Sequence, residues 1–126
     1  MNTIRSLGAL LLAGWVCARA EPLYTVVDGV RVDARTFAGW RVLREFDCAR
    51  CHGPTYAGSV GPSLLESVTQ RSQEQFLRLL RDGVIERGMP GYGAVARVMG
   101  NGEAIYAYLK GRAEGAIRPG KLEKLL

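Results

Sequence analysis

The sequence predicts an all-α fold of one domain, in which three main helices are separated by long loops. Three observations support this prediction. The chain has 126 residues, of which 48% are hydrophobic and 23% are charged, and this balance fits one folded domain and excludes a disordered chain. Apolar residues recur at helical spacing in three segments. Two glycine-rich stretches, residues 53–70 and 86–100, separate those segments, and loops of this length in a small domain usually have a function.

Capping residues mark the ends of the predicted helices. Asp33 is a typical N-cap for the first helix. Ser72 and Gln75 have the spacing of a capping box, and Gly83 is a typical residue to end the helix that they begin. The three helices are predicted over residues 34 to about 47, 72 to about 83, and about 102 to 110 or beyond.

The two ends of the chain are predicted to lie outside the helical part. A charge at Arg5, an uncharged apolar run over residues 7–17 and the tripeptide Ala18-Arg19-Ala20 form the pattern of a secretory signal peptide, residues 1–20, that is cleaved after Ala20. A retained membrane anchor is the alternative, although the run is shorter than the roughly 18 residues of a spanning helix. The domain then covers residues 21–126, with an extended leader over 21–32 and a frayed basic tail over about 116–126.

Residues 48–52 read Cys-Ala-Arg-Cys-His, which is the spacing of a c-type haem attachment motif. Cys48 and Cys51 can each add to one vinyl group of a haem, and His52 can reach the iron. Three alternatives compete. A zinc site needs carboxylates to complete its ligands, a thioredoxin-like motif needs a strand-to-helix context, and a disulfide across this short spacing stabilises little. We therefore predict one covalently attached haem c.

A sulfur ligand is predicted on the other side of the iron, because the chain has only one histidine. Met89 lies in a loop, residues 87–93, whose glycines and proline can hold a thioether in place. Met99 lies just before the last helix, where packing explains a methionine. We therefore predict Met89 as the ligand opposite His52. Iron with this ligand set has no open position, which suits electron transfer rather than oxygen chemistry.

With these motifs in view, the sequence resembles the small class I cytochromes c over residues 33 to 112. The resemblance implies that the first and last helices cross, with Gly39 facing the ring of Tyr106 or Tyr108. It also implies that the carbonyl of Pro62, about ten residues after the haem motif, accepts the second N–H of His52. The stretches that carry the resemblance are 39–40, 48–53, 61–64, 88–90 and 105–109.

A narrower resemblance involves residues 24–29, 32–37 and 108–115. These stretches are similar to those of periplasmic cytochromes that accept electrons from quinoprotein (PQQ-dependent) alcohol or methanol dehydrogenases. We therefore expect an electron carrier rather than an enzyme, and we expect it to be a monomer. Its redox partners would be a quinoprotein dehydrogenase as donor and an oxidase or another cytochrome as acceptor.

Two alternative functions remain open from the sequence. The chain could be a haem-containing subunit of a larger oxidoreductase, or a haem-based ligand sensor in which Met89 is a labile ligand. The pI of about 9.4 also raises nucleic acid as a partner, but no helix carries a basic cluster and no nucleic-acid-binding motif is recognised. We therefore expect neither a nucleic-acid partner nor stable membrane insertion.

Overall fold

The computed structural model describes residues 14–126, and within that range it is mostly helical with one small sheet. This confirms the prediction of a helical fold. The predicted signal peptide lies mainly outside the described residues, and its last part, residues 14–20, is exposed and has no regular structure. The helices are α1 (Ala34–Glu45), α2 (Ala49–His52), α3 (Leu64–Gln70), α4 (Gln73–Asp82), α5 (Ala96–Met99) and α6 (Gly102–Ala113), with a 3₁₀ turn at Ile85–Arg87.

The predicted caps are present at α1 and α4. The Asp33 carboxylate accepts the backbone N–H of Thr36 at 2.9 Å. Ser72 and Gln75 form the reciprocal capping box, with distances of 3.2 and 2.9 Å. Helix α1 was predicted to end at about residue 47, and it ends at Glu45, because Asp47 has a φ of 51° and the chain turns there.

The core lies where α1 crosses α6. A methyl group on Gly39 would lie 2.1 Å from the carbonyl oxygen of Ala104, so the two helices touch through their backbones. The expectation that Gly39 faces a tyrosine ring was wrong as to its nearest neighbour. The ring of Tyr106 packs against Phe76, and that of Tyr108 packs against Tyr56.

Two helices, α3 and the short α5, appear where the sequence predicted only loops. Helix α3 occupies the end of the glycine-rich stretch 53–70, and it is capped by Ser63, which accepts the backbone N–H of Glu66 at 3.2 Å. The Ser-x-x-Glu spacing is the start signal that the sequence reading overlooked. Val68 of this helix is fully buried because α3 packs against α6.

The leader and the tail pair with each other in one small sheet. Strands β1 (Val26–Val27) and β2 (Arg31–Val32) form an antiparallel hairpin, and β3 (Glu123–Lys124) adds to β2 in parallel. The prediction of a frayed tail was therefore wrong. Ile117 and Leu122 are only 1% and 2% exposed, because the tail folds back and covers the core.

No helix in the range 14–126 is long and apolar enough to cross a membrane.

Candidate functional site

The two candidate attachment thiols lie on one short helical turn. After the turn at Asp47, the backbone N–H of Cys48 bonds the carbonyl of Leu43 at 3.1 Å, and α2 begins at once. Cys48 and Cys51 are three residues apart in helical geometry, so their side chains emerge on the same side. Both are free thiols, Cys48 half-buried and Cys51 exposed. Burial raises the pKa of the Cys48 thiol to about 11, so this thiol is neutral at neutral pH.

His52 ends the same turn, and one nitrogen of its buried ring is already engaged. Its Nδ1 lies 2.8 Å from the carbonyl oxygen of Pro62. Because a carbonyl can only accept, Nδ1 carries the hydrogen and donates it. The lone pair of Nε2 is then left to bind a metal, and the hydrogen bond orients the ring.

Glycines allow the following loop to approach this ring closely. Gly61 donates its N–H to the carbonyl of Cys51, and a methyl group on Gly61 would lie 3.2 Å from Nδ1 of His52. Gly53 has a φ of 87°, and a methyl group there would lie 2.7 Å from the carbonyl oxygen of Gly58. The sequence 53–61 therefore brings Pro62 to the histidine.

Met89 lies on a separate loop whose backbone is tied to the end of α4. Met89 and Val84 exchange two backbone hydrogen bonds of 3.0 and 3.1 Å. A methyl group on Gly83 would lie 2.5 Å from the backbone nitrogen of Gly91, so the loop closes tightly. The backbone that carries the Met89 thioether is therefore restrained, and the Met89 side chain is half-buried.

Met99 has the surroundings of a packing residue. It ends α5 and is half-buried, and it lines a surface pocket together with Leu77 and Ala104. Apart from Met99 itself, none of the residues around this pocket is a candidate ligand or attachment residue.

Sequence reasoning assigned no role to Arg112, which is buried near the attachment segment. Its guanidinium donates to the carbonyl of Thr55 at 2.9 Å and to the hydroxyl of Tyr108 at 3.1 Å. These bonds tie α6 to the residues that follow His52. No periodic pattern could have identified Arg112, because its exposed fraction of 8% depends on segments that are distant in sequence.

The available donors fit a haem better than they fit zinc. Two free thiols lie on one turn beside an imidazole whose second nitrogen is available, and a methionine follows on a restrained loop. In the part of the chain that the structure describes, no group of three or more His, Cys, Asp or Glu side chains could hold a metal ion. The carboxylates that a zinc site would require are therefore not in place within residues 14–126.

Comparisons with known proteins find similarity to cytochromes c. The family model described as "Cytochrome C oxidase, cbb3-type, subunit III" matches residues 34–109. Cytochrome c-555 of Methylococcus capsulatus is 35% identical over 94 residues, which cover 74% of this chain and 75% of that protein. Cytochrome c-553I of Paracoccus denitrificans is 34% identical over 119 residues, and the match covers 86% of this chain and 52% of that longer protein.

A solved structure shares the fold. The crystal structure of the c-type cytochrome XoxG from Methylobacterium extorquens AM1 superposes with a TM-score of 0.73 at 31% identity, covering 86% of this chain and 77% of that chain. Cytochromes c are electron carriers, and their family implies a covalently attached haem c, for which Cys48 and Cys51 are the candidate attachment residues. The chain belongs to the cytochrome c family that the matched model represents and is a small class I cytochrome c.

Proposed function

We propose that this chain is a monohaem electron carrier of the periplasm, with a haem iron that is bound by His52 and Met89. The observation that carries the proposal is the attachment turn, where Cys48, Cys51 and His52 share one helical turn and Nδ1 of His52 bonds Pro62. The chain has only one Cys-x-x-Cys-His motif and one histidine, which supports a single haem.

Each residue of the site has its own part in this function. Cys48 and Cys51 would hold the haem by thioether bonds, and Nε2 of His52 and the sulfur of Met89 would bind the iron. The Pro62 carbonyl keeps the histidine ring in one orientation and one tautomer. When bound, the haem supplies one-electron exchange between ferric and ferrous iron. Ligation by histidine and methionine raises its reduction potential relative to ligation by two nitrogen donors. With both of these residues bound, the iron would have no open position, which would favour electron transfer over oxygen chemistry.

Matched methionine variants test the ligation. In the purified ferric protein, the absorption band of charge transfer between methionine sulfur and iron should disappear in Met89→Ala and persist in Met99→Ala. The loss of the band in Met99→Ala alone would transfer the assignment to Met99. Carbon monoxide that binds rapidly to the wild-type ferrous protein at neutral pH, together with an absent band, would favour a ligand sensor over a carrier.

The attachment itself is tested by denaturing the holoprotein. We expect haem to remain with the wild-type chain after denaturation and extraction into acidic organic solvent, and to be lost from the variant Cys48→Ser/Cys51→Ser. Haem that is extracted from the wild-type chain would contradict covalent attachment.

Sequencing the mature N-terminus tests the export proposal, which expects cleavage after Ala20.

The donor that we propose is a quinoprotein dehydrogenase, and the acceptor is an oxidase or another cytochrome. The similarity of the leader and tail stretches to cytochromes with such donors supports this proposal. Stopped-flow mixing with a panel of reduced quinoprotein alcohol dehydrogenases tests it, with an unrelated reduced flavoprotein as the control. If no quinoprotein reduces the haem faster than the control, the donor proposal fails while the electron-carrier assignment stands.

A second candidate is a haem-bearing subunit of a larger oxidoreductase. The description of the matched family model, which names an oxidase subunit, favours this possibility. Size exclusion of a native periplasmic extract separates the two candidates. A free carrier elutes with its haem near the mass of a small monomer, whereas a subunit elutes only with a much larger assembly.

A further inference from the structure

Two aromatic rings join the segment of the attachment cysteines to the loop of Met89. The rings of Phe46 and Tyr92 meet edge to face, with centroids 6.1 Å apart and an interplanar angle of 87°. Phe46 precedes Cys48 by two residues, and Tyr92 follows Met89 by three. The contact therefore links two segments that are more than forty positions apart in the sequence.

Each ring stands on a backbone that is held independently of the other. Phe46 caps α1 and donates its N–H to the carbonyl of Val42 at 3.1 Å. Tyr92 donates its N–H to the carbonyl of Leu80 at 3.0 Å and accepts from Val95 at 2.9 Å. The two rings thus act as fixed contacts between α1 and the end of α4.

The backbone bonds of the Met89 loop hold it to α4 and to itself, not to the attachment turn. Met89 pairs with Val84, and Tyr92 with Leu80. The ring contact between Phe46 and Tyr92 joins this loop to the segment that leads into the attachment turn. A further sign of this closeness is that burial, and then the nearby thiols of Cys48 and Cys51, raise the pKa of the Tyr92 phenol.

We propose that the Phe46–Tyr92 ring pair holds the Met89 loop against the attachment turn, which makes Tyr92 a positioning residue for the sulfur ligand. This inference rests on the proposed His52/Met89 ligation. Without the pair, the loop spends more time away from the iron. An added ligand such as imidazole then binds with an apparent affinity that rises in proportion to the detached population.

Leucine variants of the ferric holoprotein test the proposal. Phe46→Leu and Tyr92→Leu should each increase the apparent affinity for imidazole about fivefold, as expected for the loss of one edge-to-face contact. The double variant should increase it no further, because both single changes remove the same contact. Tyr92→Phe keeps the ring and should bind imidazole like the wild type.

Phe37→Leu is the matched control. Phe37 is half-buried like Phe46, but it lies within α1 and its ring packs on Trp40 of the same helix, with centroids 5.2 Å apart. This variant should lose stability to urea without any change in imidazole affinity. If a leucine variant fails to fold, Phe46→Met, which keeps a long apolar side chain without a ring, takes its place with the same expected result.

Two outcomes overturn the inference, and they are distinguishable. If the ring variants bind imidazole no more tightly than Phe37→Leu, or if the effects of the two leucine changes add, the ring pair does not position the loop. In that case the wild-type protein still shows the methionine-to-iron band, and the proposed ligation stands. A wild-type protein without that band overturns the ligation, and this inference falls with it.

Discussion

Gly39 of α1 lies against the backbone of Ala104 in α6, so closely that a methyl group on Gly39 would lie 2.1 Å from the Ala104 carbonyl oxygen. No side-chain adjustment can relieve this contact, because the opposing atoms belong to the helix backbone. The crossing of the two helices therefore depends on the absence of a Cβ at this position, and both helices contribute to the core beside the site.

We expect Gly39→Ala to destabilise the protein by about 3 kcal/mol, since overpacking against backbone forces the helices apart. Gly102→Ala is the control, because its methyl group would meet the flexible ends of Leu77, at 2.6 Å, and Leu80, at 4.0 Å, and not the backbone of another segment. Urea denaturation of both variants measures the free energies of unfolding. Equal losses in the two variants would show that the crossing tolerates a side chain at Gly39.

The tail gives a second prediction. Leu122→Ala should reduce the free energy of unfolding by about 2 to 3 kcal/mol, because its side chain is 2% exposed and its truncation leaves a cavity. Leu126→Ala should change it by less than about 0.5 kcal/mol, because an exposed leucine loses little on truncation. Thermal unfolding compares the two variants. If Leu122→Ala is as stable as Leu126→Ala, the tail does not pack on the core in solution.

Arg112 gives a third prediction. Arg112→Met keeps the apolar stem but leaves the buried Tyr108 hydroxyl without the donor at 3.1 Å. We expect a loss of about 2 kcal/mol in the free energy of unfolding, which is typical of an unsatisfied buried polar group. Arg78→Met, which breaks only an exposed ion pair with Glu74, should cost much less. Similar urea midpoints for the two variants would contradict a structural role for Arg112.

Asp33 gives a prediction about pH. Burial acts to raise the pKa of Asp33, but hydrogen bonds from Thr36 and Thr25 outweigh it and lower the pKa below the ordinary value of 3.8. Because the folded-state pKa lies below the unfolded one, the carboxylate stabilises the fold above pH 3.8, and this contribution is lost as the pH falls through the folded-state pKa.

Asp33→Asn isolates this charge, because asparagine is also a good N-cap. The variant should be less stable than the wild type at neutral pH, and the difference should vanish once the pH is below the folded-state pKa. Asp33→Ala also loses the cap, so its free energy of unfolding should be about 1 kcal/mol lower than that of Asp33→Asn at any pH. A difference between wild type and Asp33→Asn that does not depend on pH would contradict the lowered pKa.

Local chemistry explains which features the sequence could predict. The spacing of Cys48, Cys51 and His52 lies within one helical turn, and the Ser72 capping box spans four residues, so neither depends on distant segments. The overlooked helix α3 belongs with these features, because its cap, Ser63, was equally visible. The sequence also predicted the partners His52 and Pro62 through the family resemblance, and the structure places their atoms 2.8 Å apart.

The tertiary structure decided the contacts between segments that are distant in sequence. It buries Leu122 of the tail, places the backbone of Ala104 against Gly39, ties Arg112 to Thr55 and joins the rings of Phe46 and Tyr92. Periodicity shows which side of a helix is apolar, but not which distant segment will cover that side. The sequence by itself therefore determined the types of candidate donor and their spacing within single turns, whereas only the packing of whole segments decided which distant residues contact one another.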